Sequence, residues 1–161
     1  MTQLIHTTPD ADRKTLYAEL IPQIDNLLRG EASWIANMAN TSSVIYHALG
    51  FHWVGFYLVE HDELVLGPFH GPVACTRIQR GKGVCGHAWQ VNQTTVVPDV
   101  DLFPGHIACS AASRSELVIP LMRNHQVVGV FDIDSSALND FQEDDVHFFE
   151  RVAAILMECD S

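Results

Sequence analysis

Apolar side chains recur at helical spacing near the start of the chain. Residues 10–29 place six leucines and isoleucines on one stripe, which Pro22 interrupts. Residues 31–49 carry a second stripe that stops at Gly50, a residue type that often ends a helix. The pattern therefore predicts two consecutive helices, the first of them kinked at the proline.

A further helix is predicted near the other end of the chain, over about 141–158. Asp140 and Glu143 have the spacing of a capping box at its start. The apolar stripe that follows comprises Val146, Phe149, Val152, Leu156 and Cys159. One face of this helix is therefore expected to pack on the core.

Between these helices the spacing changes to the alternation that is typical of strands. In "FHWVGFYLVE", Trp53 and Tyr57 fall on one face of a strand, and Val54 and Phe56 fall on the other. Shorter strands are predicted near 63–69, 73–79 and 94–100, and a glycine turn opens a short helix within 81–92.

The segments "ELVIPLMRN" and "QVVGVFDIDS" predict a hairpin whose turn holds Asn124 and His125. Asp132 and Asp134 lie two residues apart on its second strand, so both side chains share one face. A three-residue loop, or a two-residue loop with a bulge, places Glu116 beside Asp134 on that face. A plain two-residue turn places Glu116 on the opposite face, and the sequence leaves this register open.

Terminal helices around a run of hairpin-linked strands predict a single α+β domain over residues 1–161. We expect a central antiparallel sheet with the N- and C-terminal helices packed on one face. Loops and the short helix would then cover a ligand pocket on the other face.

The charge balance narrows the choice of partners. The chain carries 20 acidic and 9 basic residues, for a formal net charge of −11, which disfavours nucleic acids and anionic membranes. Its N-terminus lacks the features of a signal peptide, and no apolar run approaches the roughly eighteen residues of a membrane span. We therefore expect a cytoplasmic protein whose cysteines are reduced, catalytic or metal-bound.

The four cysteines lie in different settings. Cys109 falls in a polar stretch without periodicity over 98–115, where an idle exposed thiol would be an oxidation liability. Cys85 follows "GKG" at the start of a short helix, where free N–H groups would lower its pKa, although a small buried apolar role fits equally well. Cys75 falls in a strand, and Cys159 is most simply a packing residue.

Two other uses of the cysteines are open. The pairs Cys85-x-His87 and His106-x-x-Cys109 offer four metal ligands, but their spacing differs from that of common zinc sites. We therefore predict neither a metal nor a cofactor. A cysteine hydrolase would use Cys109 with His106 or His87 as its base, a pairing that nine histidines make easy to find by chance.

The acidic residues of the hairpin suggest a second kind of chemistry. If Glu116, Asp132 and Asp134 meet on one face, their mutual repulsion raises at least one pKa and leaves a neutral acid that can donate a proton. The remaining negative charge would hold an ammonium group. This expectation depends on the hairpin register.

Cys75, Cys85 and Cys109 stand ten and then twenty-four residues apart. With "GFY", "GKGVCGHAW", "VPDV", "FPGHIACSAASRSELVIPL" and "GVFDIDS", the chain closely resembles the free methionine-(R)-sulfoxide reductases, which are single GAF-domain enzymes. The likeness covers nearly the whole chain, and its motifs are long and contiguous. It implies a GAF-like fold and reduction of free L-methionine-(R)-sulfoxide, with thioredoxin as reductant.

The resemblance also implies roles for individual residues. Cys109 matches the attacking cysteine, and Cys85 and Cys75 match the two that supply the disulfide partner. The substrate-binding and acid-catalytic carboxylates match Glu116, Asp132 and Asp134, and the aromatic wall of the pocket matches Trp53 and Tyr57.

Three questions stay open at this point. The sequence does not say which of Cys75 and Cys85 reacts first, or whether the protein is a homodimer. A different class of function, a GAF module that senses a small molecule or a redox state without turnover, is the main alternative.

Overall fold

The computed structural model describes residues 4–106 and 111–159, so Cys109 lies outside the described residues. The helices are α1 (Arg13–Leu28), α2 (Trp34–Leu49), α3 (Gly83–Val91) and α4 (Glu143–Glu158). The strands are β1 (Trp53–Glu60), β2 (Glu63–His70), β3 (Arg77–Gln79), β4 (Thr95–Val97), β5 (Ser115–Arg123) and β6 (Gln126–Ser135).

The six strands form one sheet in the order β3-β2-β1-β6-β5-β4, and every neighbouring pair is antiparallel. Strands β1 and β6 occupy the centre, so both of their faces are covered. The α+β class with a central antiparallel sheet is therefore confirmed. The predicted helices and the long strands also match, with small shifts at their ends. The strand predicted over 73–79 is wrong in its first half, because β3 begins only at Arg77 and Cys75 lies in the preceding loop.

The two faces of the sheet carry different layers. Helices α1, α2 and α4 pack on one face around Val54, Phe56, Phe131 and Ile133. On the other face, α3 and the adjoining loops pack against side chains that include Trp53 and Tyr57. The alternation read from β1 is confirmed, because odd and even positions of a strand point to opposite faces.

The turn between β5 and β6 consists of Asn124 and His125, and both residues have positive φ, at 50° and 63°. Two left-handed residues form the tight hairpin turn whose twist matches that of the strands. The register then shifts by one residue between Leu121 and Met122, where the ladder contains a bulge. The structure therefore has a two-residue loop plus a bulge.

The start of α4 differs from the expectation. Its N-cap is Gln142, which forms a capping box with Asp145, so the predicted pair Asp140 and Glu143 is wrong. Asp140 instead accepts a hydrogen bond from Arg13 of α1 at 2.9 Å. Asp140 is held by this contact with α1, and the helix begins two residues later at Gln142. Within the described residues, no helix is both long and apolar enough to cross a membrane.

Candidate active site

A cavity of about 50 Å³ lies on the sheet face opposite the three long helices. It has room for more than one water-sized group. The lining combines aromatic, aliphatic, acidic and sulfur-bearing side chains from β1, β5, β6, α3 and the loops. The lining residues are Trp53, Tyr57, Val73, Ala74, Ile78, Gly83, Val84, Cys85, His106, Ser113, Glu116, Asp132 and Asp134.

The bulged hairpin brings the three predicted carboxylates together. Glu116 pairs with Asp134 in the ladder between β5 and β6, and Asp132 pairs with Val118. Glu116 and Asp132 are each only 6% exposed. Asp132 Oδ1 is buried and has no hydrogen-bond partner among the described residues. The cavity therefore contains acidic groups that the protein itself does not fully satisfy.

Burial raises the pKa of all three carboxyl groups. The pKa of Glu116 lies well above its ordinary value because the group is buried and because Asp132 and Asp134 repel its charge. Burial likewise raises the pKa of Asp134, against a hydrogen bond from Ser113, and raises the pKa of Asp132 to about 6. Folding therefore favours the protonated form of each group, as expected if the three groups met.

Cys85 faces the same carboxylates from the first turn of α3. Its thiol donates a long hydrogen bond to Glu116 Oε1, with Sγ and oxygen 3.9 Å apart. Burial and the charges of Asp132 and Glu116 raise the pKa of Cys85 well above its ordinary value. The expectation of a lowered pKa is therefore wrong, because desolvation and nearby negative charge outweigh the partial positive charge of a helix N-terminus.

The other cysteines separate into two groups. Cys75 is disulfide-bonded, and Tyr57 Oη donates a hydrogen bond of 2.9 Å to its carbonyl oxygen at the edge of the cavity. Cys159 is free and half-buried at the end of α4, on the opposite side of the sheet. Its position agrees with a packing role.

The aromatic wall is built by stacking along β1 and onto β2. The rings of Trp53 and Tyr57 are stacked with centroids 6.0 Å apart, and Trp53 stacks on Phe69 at 5.2 Å. Trp53 Nε1 also donates to the Pro72 carbonyl oxygen at 3.1 Å, which fixes the ring orientation. Burial and Asp132 raise the pKa of Tyr57, so its hydroxyl stays neutral.

Several lining residues escaped the sequence reasoning. Ser113, which supports Asp134 by a hydrogen bond, comes from a stretch without periodicity and gave no signal. Ile78 and Val84 form part of the apolar lining, and only their hydrophobicity marked them in the sequence. His106, by contrast, was considered from the sequence as a base or a metal ligand, and it does line the cavity. His87 does not, and its ring packs edge-on against Phe103.

One group of side chains has the donor set of a metal site. Cys85, Glu116 and Asp132 place one ligand atom each within 4.8 Å of one another, and all three are buried. This group differs from the pairing of cysteines with histidines considered from the sequence. Within the described residues, His87 is not part of it.

Comparison with known proteins gives a consistent result. The GAF domain family model matches residues 35–158. "GAF domain-containing protein A" of Dictyostelium discoideum is 52% identical over 141 residues, which cover 87% of this chain and 89% of the relative. The free methionine-R-sulfoxide reductase of Escherichia coli is 46% identical over 146 residues, which cover 90% and 88%.

A solved structure agrees with this fold over almost the full length of the chain. It is the X-ray structure of free methionine-R-sulfoxide reductase from Neisseria meningitidis in complex with its substrate. The TM-score is 0.95 at 48% identity, and the match covers 99% of this chain and 96% of that one. The chain therefore belongs to the GAF-domain family and, within it, to the free methionine-R-sulfoxide reductases, a family of reductase enzymes.

Proposed function

We propose that this protein reduces free L-methionine-(R)-sulfoxide to L-methionine. The observation that carries the proposal is the meeting of three buried carboxyl groups in one cavity, walled by Trp53 and Tyr57. Among the described lining residues there is no lysine or arginine. The cluster is therefore suited to an ammonium group, which a free amino acid carries and a peptide-linked residue lacks.

The aromatic wall supports the same substrate class. The stacked rings of Trp53 and Tyr57 offer a flat apolar surface beside the acidic cluster. A methyl sulfoxide side chain has an apolar end that packs on such a surface and a polar oxygen that needs a hydrogen-bond donor. The arrangement therefore separates the two ends of the proposed substrate.

The proton donor that we propose is Glu116. A sulfoxide oxygen leaves only when it is protonated, so a thiol attack needs a neutral acid close by. Burial and the charges of Asp132 and Asp134 raise the pKa of Glu116 and favour its protonated form. The pKa of both aspartates is raised as well, so the kinetics of the variants decide which group donates the proton. We assign the grip on the ammonium mainly to the two aspartates.

The nucleophile that we propose is Cys109. Its sulfur attacks the sulfoxide sulfur, and the oxygen is transferred to the cysteine. Methionine is released, and the cysteine becomes a sulfenic acid. A second thiol then displaces the hydroxyl as water and forms a disulfide. The disulfide at Cys75 supports Cys75 as this partner, whereas the buried Cys85 is free and its raised pKa makes it a poor thiolate.

Turnover then needs a dithiol that reduces the disulfide back to two thiols. We propose thioredoxin for this step, as the sequence resemblance implies, and a cytoplasmic location where such a reductant acts. The homodimer considered from the sequence stays a prediction.

The test is consumption of NADPH by thioredoxin reductase and thioredoxin in the presence of the protein. Free L-methionine-(R)-sulfoxide should be turned over. The N-acetylated sulfoxide, in which a neutral amide replaces the ammonium group as it does in a peptide, should be a very poor substrate. The Cys109→Ser variant serves as the control for background reduction.

Three outcomes would contradict the proposal. Comparable turnover of the free and the N-acetylated sulfoxide would show that the carboxylates do not recognise the ammonium group of the substrate. Tight binding of the free sulfoxide without any turnover would instead favour the sensory alternative. Hydrolysis of an ester without reductant would point to the cysteine hydrolase.

A further inference from the structure

We propose that the cavity also takes up one zinc ion, held by Cys85 Sγ and the carboxylates of Glu116 and Asp132, and that bound zinc keeps the substrate out. The first half concerns the metal alone. The second half rests on the proposed function, because it assumes that the same carboxylates hold the substrate ammonium.

The three ligand atoms are close enough to converge on one ion. The three ligand atoms lie within 4.8 Å of one another, and Cys85 Sγ lies 3.9 Å from Glu116 Oε1. A tetrahedral zinc ion with Zn–S of about 2.3 Å and Zn–O of about 2.1 Å needs sulfur and oxygen about 3.6 Å apart. For this pair a closure of a few tenths of an ångström by side-chain rotation suffices. The other pairs lie within 4.8 Å, so they need to close by no more than about 1.4 Å.

The electrostatics of the cavity also favour a cation. Asp132 Oδ1 is buried without a hydrogen-bond partner among the described residues, so an acceptor is available at the site. The described lining contains acidic groups and a thiol but no lysine or arginine. On binding, the ion would displace the protons of Cys85 and Glu116 and release them to solvent.

The donor set selects the metal. One thiolate with two carboxylates suits zinc, whereas calcium and magnesium prefer sites made only of oxygen. All three residues also line the cavity, so a fourth coordination position faces the space that the substrate would occupy. Three protein ligands with one open position make an exchangeable site.

The site does not depend on the disulfide. Cys85 is free in the structure in which Cys75 is disulfide-bonded. Zinc would therefore bind to the disulfide form as well as to the reduced form.

Cobalt(II) is the probe for the first test, because a cobalt–thiolate bond adds a near-ultraviolet absorption band. The test uses the full chain with Cys75→Ser and Cys109→Ser as its host protein, in which Cys85 and Cys159 are the two remaining thiols. We expect one equivalent of cobalt to produce the band and one equivalent of zinc to remove it. Adding Cys85→Ser should abolish the band, and the matched control Cys159→Ser should preserve it.

The carboxylates are tested by calorimetric titration with zinc in the same host. Asp132→Asn and Glu116→Gln keep the side-chain shape, and each should weaken zinc binding at least about tenfold, since each removes one charged ligand. Circular dichroism checks that the variants are folded. A band that survives Cys85→Ser, or zinc affinity unchanged in both carboxylate variants, would overturn the site.

Competition tests the second half. Free methionine sulfoxide should raise the apparent dissociation constant of zinc in proportion to its concentration, by more than its own chelation of zinc in solution accounts for. If zinc binding requires Cys85 and Asp132 but is unaffected by the sulfoxide, zinc and the substrate do not share one site, and the second half of the proposal is wrong. The cobalt readout needs no turnover, so failure of the proposed reductase activity would leave the metal result standing by itself.

Discussion

Glu116 lies directly opposite Asp134 in the ladder between β5 and β6, because a bulge between Leu121 and Met122 shifts the register of the hairpin by one residue. Without that shift, Glu116 would point to the helical face of the sheet. The bulge therefore puts the three carboxyl groups in one cavity, and the chemistry proposed for the site depends on it.

Glu116→Gln should reduce the rate of the sulfoxide-reducing step on the order of a hundredfold, because the amide cannot donate the proton that the leaving oxygen needs. In the unmodified protein the rate should fall at alkaline pH, as the raised pKa of the cluster is passed. Single-turnover methionine formation across pH measures both effects. The alkaline limb should be absent in Glu116→Gln.

The control for this variant is Glu143→Gln, whose side chain is 88% exposed at the start of α4 and distant from the cavity. It should leave the rate and the pH profile unchanged. An alkaline limb that persists unaltered in Glu116→Gln would transfer the role of acid to Asp132 or Asp134.

The same cluster makes stability depend on pH. The pKa of Asp132 rises from 3.8 to about 6 on folding, so between these values the folded protein retains a proton that the unfolded chain has lost. The contribution of this group is therefore complete below about pH 4 and is lost as the pH rises through about 6. Glu116 and Asp134 change in the same direction.

In Glu116→Gln, the free energy of unfolding should therefore decrease less steeply with rising pH above about pH 5. At pH 8 the variant should be more stable than the unmodified protein by on the order of 1–3 kcal/mol, because glutamine has no carboxyl group whose ionisation the folded protein disfavours. Urea denaturation without substrate, at pH 5 and pH 8, measures the difference. Parallel stability curves for the two proteins would contradict the buried-charge explanation.

The cysteine variants should divide into three behaviours. Cys109→Ser should form no methionine, because a serine hydroxyl stays protonated and does not attack sulfur usefully. Cys75→Ser should complete one turnover and then recycle slowly, since the proposed disulfide partner is missing. Mass spectrometry after one turnover without reductant should find Cys75 in the disulfide.

Cys85→Ser should spare both the first turnover and the disulfide, because this thiol is buried and free beside the carboxylates. Cys159→Ser is the silent control at the end of α4. Loss of the first turnover in Cys85→Ser, with Cys109→Ser active, would reverse the assignment.

Tyr17→Phe should destabilise the protein by about 1–2 kcal/mol. The Tyr17 hydroxyl of α1 donates a hydrogen bond to the buried Asp145 of α4, which also receives the Gln142 backbone N–H at 2.6 Å. Removing the hydroxyl leaves Asp145 with one donor fewer. Urea denaturation should detect the loss, with turnover per folded molecule unchanged because the contact lies on the helical face.

Gly55→Ala should impair the aromatic wall. A Cβ at this position would lie 2.3 Å from Phe69 Cβ and 2.6 Å from Trp53 Cη2, so the indole must move. We expect a stability loss of about 1–3 kcal/mol from overpacking and a higher KM for the sulfoxide. Gly67→Ala, whose Cβ would approach the Phe56 carbonyl oxygen only to 3.1 Å, is the milder control.

The sequence by itself determined what depends on local periodicity. The apolar stripes located α1, α2 and α4, and the alternation in β1 put Trp53 and Tyr57 on one face. The two-residue spacing of Asp132 and Asp134 likewise fixed their common face. These features follow from the geometry of a single helix or strand, so a short stretch of chain contains all the information that they need.

Tertiary structure decided what depends on contacts between distant segments. The bulge that brings Glu116 to Asp134 is a choice between two hairpin registers with the same local pattern. The raised pKa of Cys85 arises because β5 and β6 bury it against carboxylates, which outweighs the local influence of α3. Register and desolvation are properties of the packed sheet, and for that reason no segment of the sequence contains them alone.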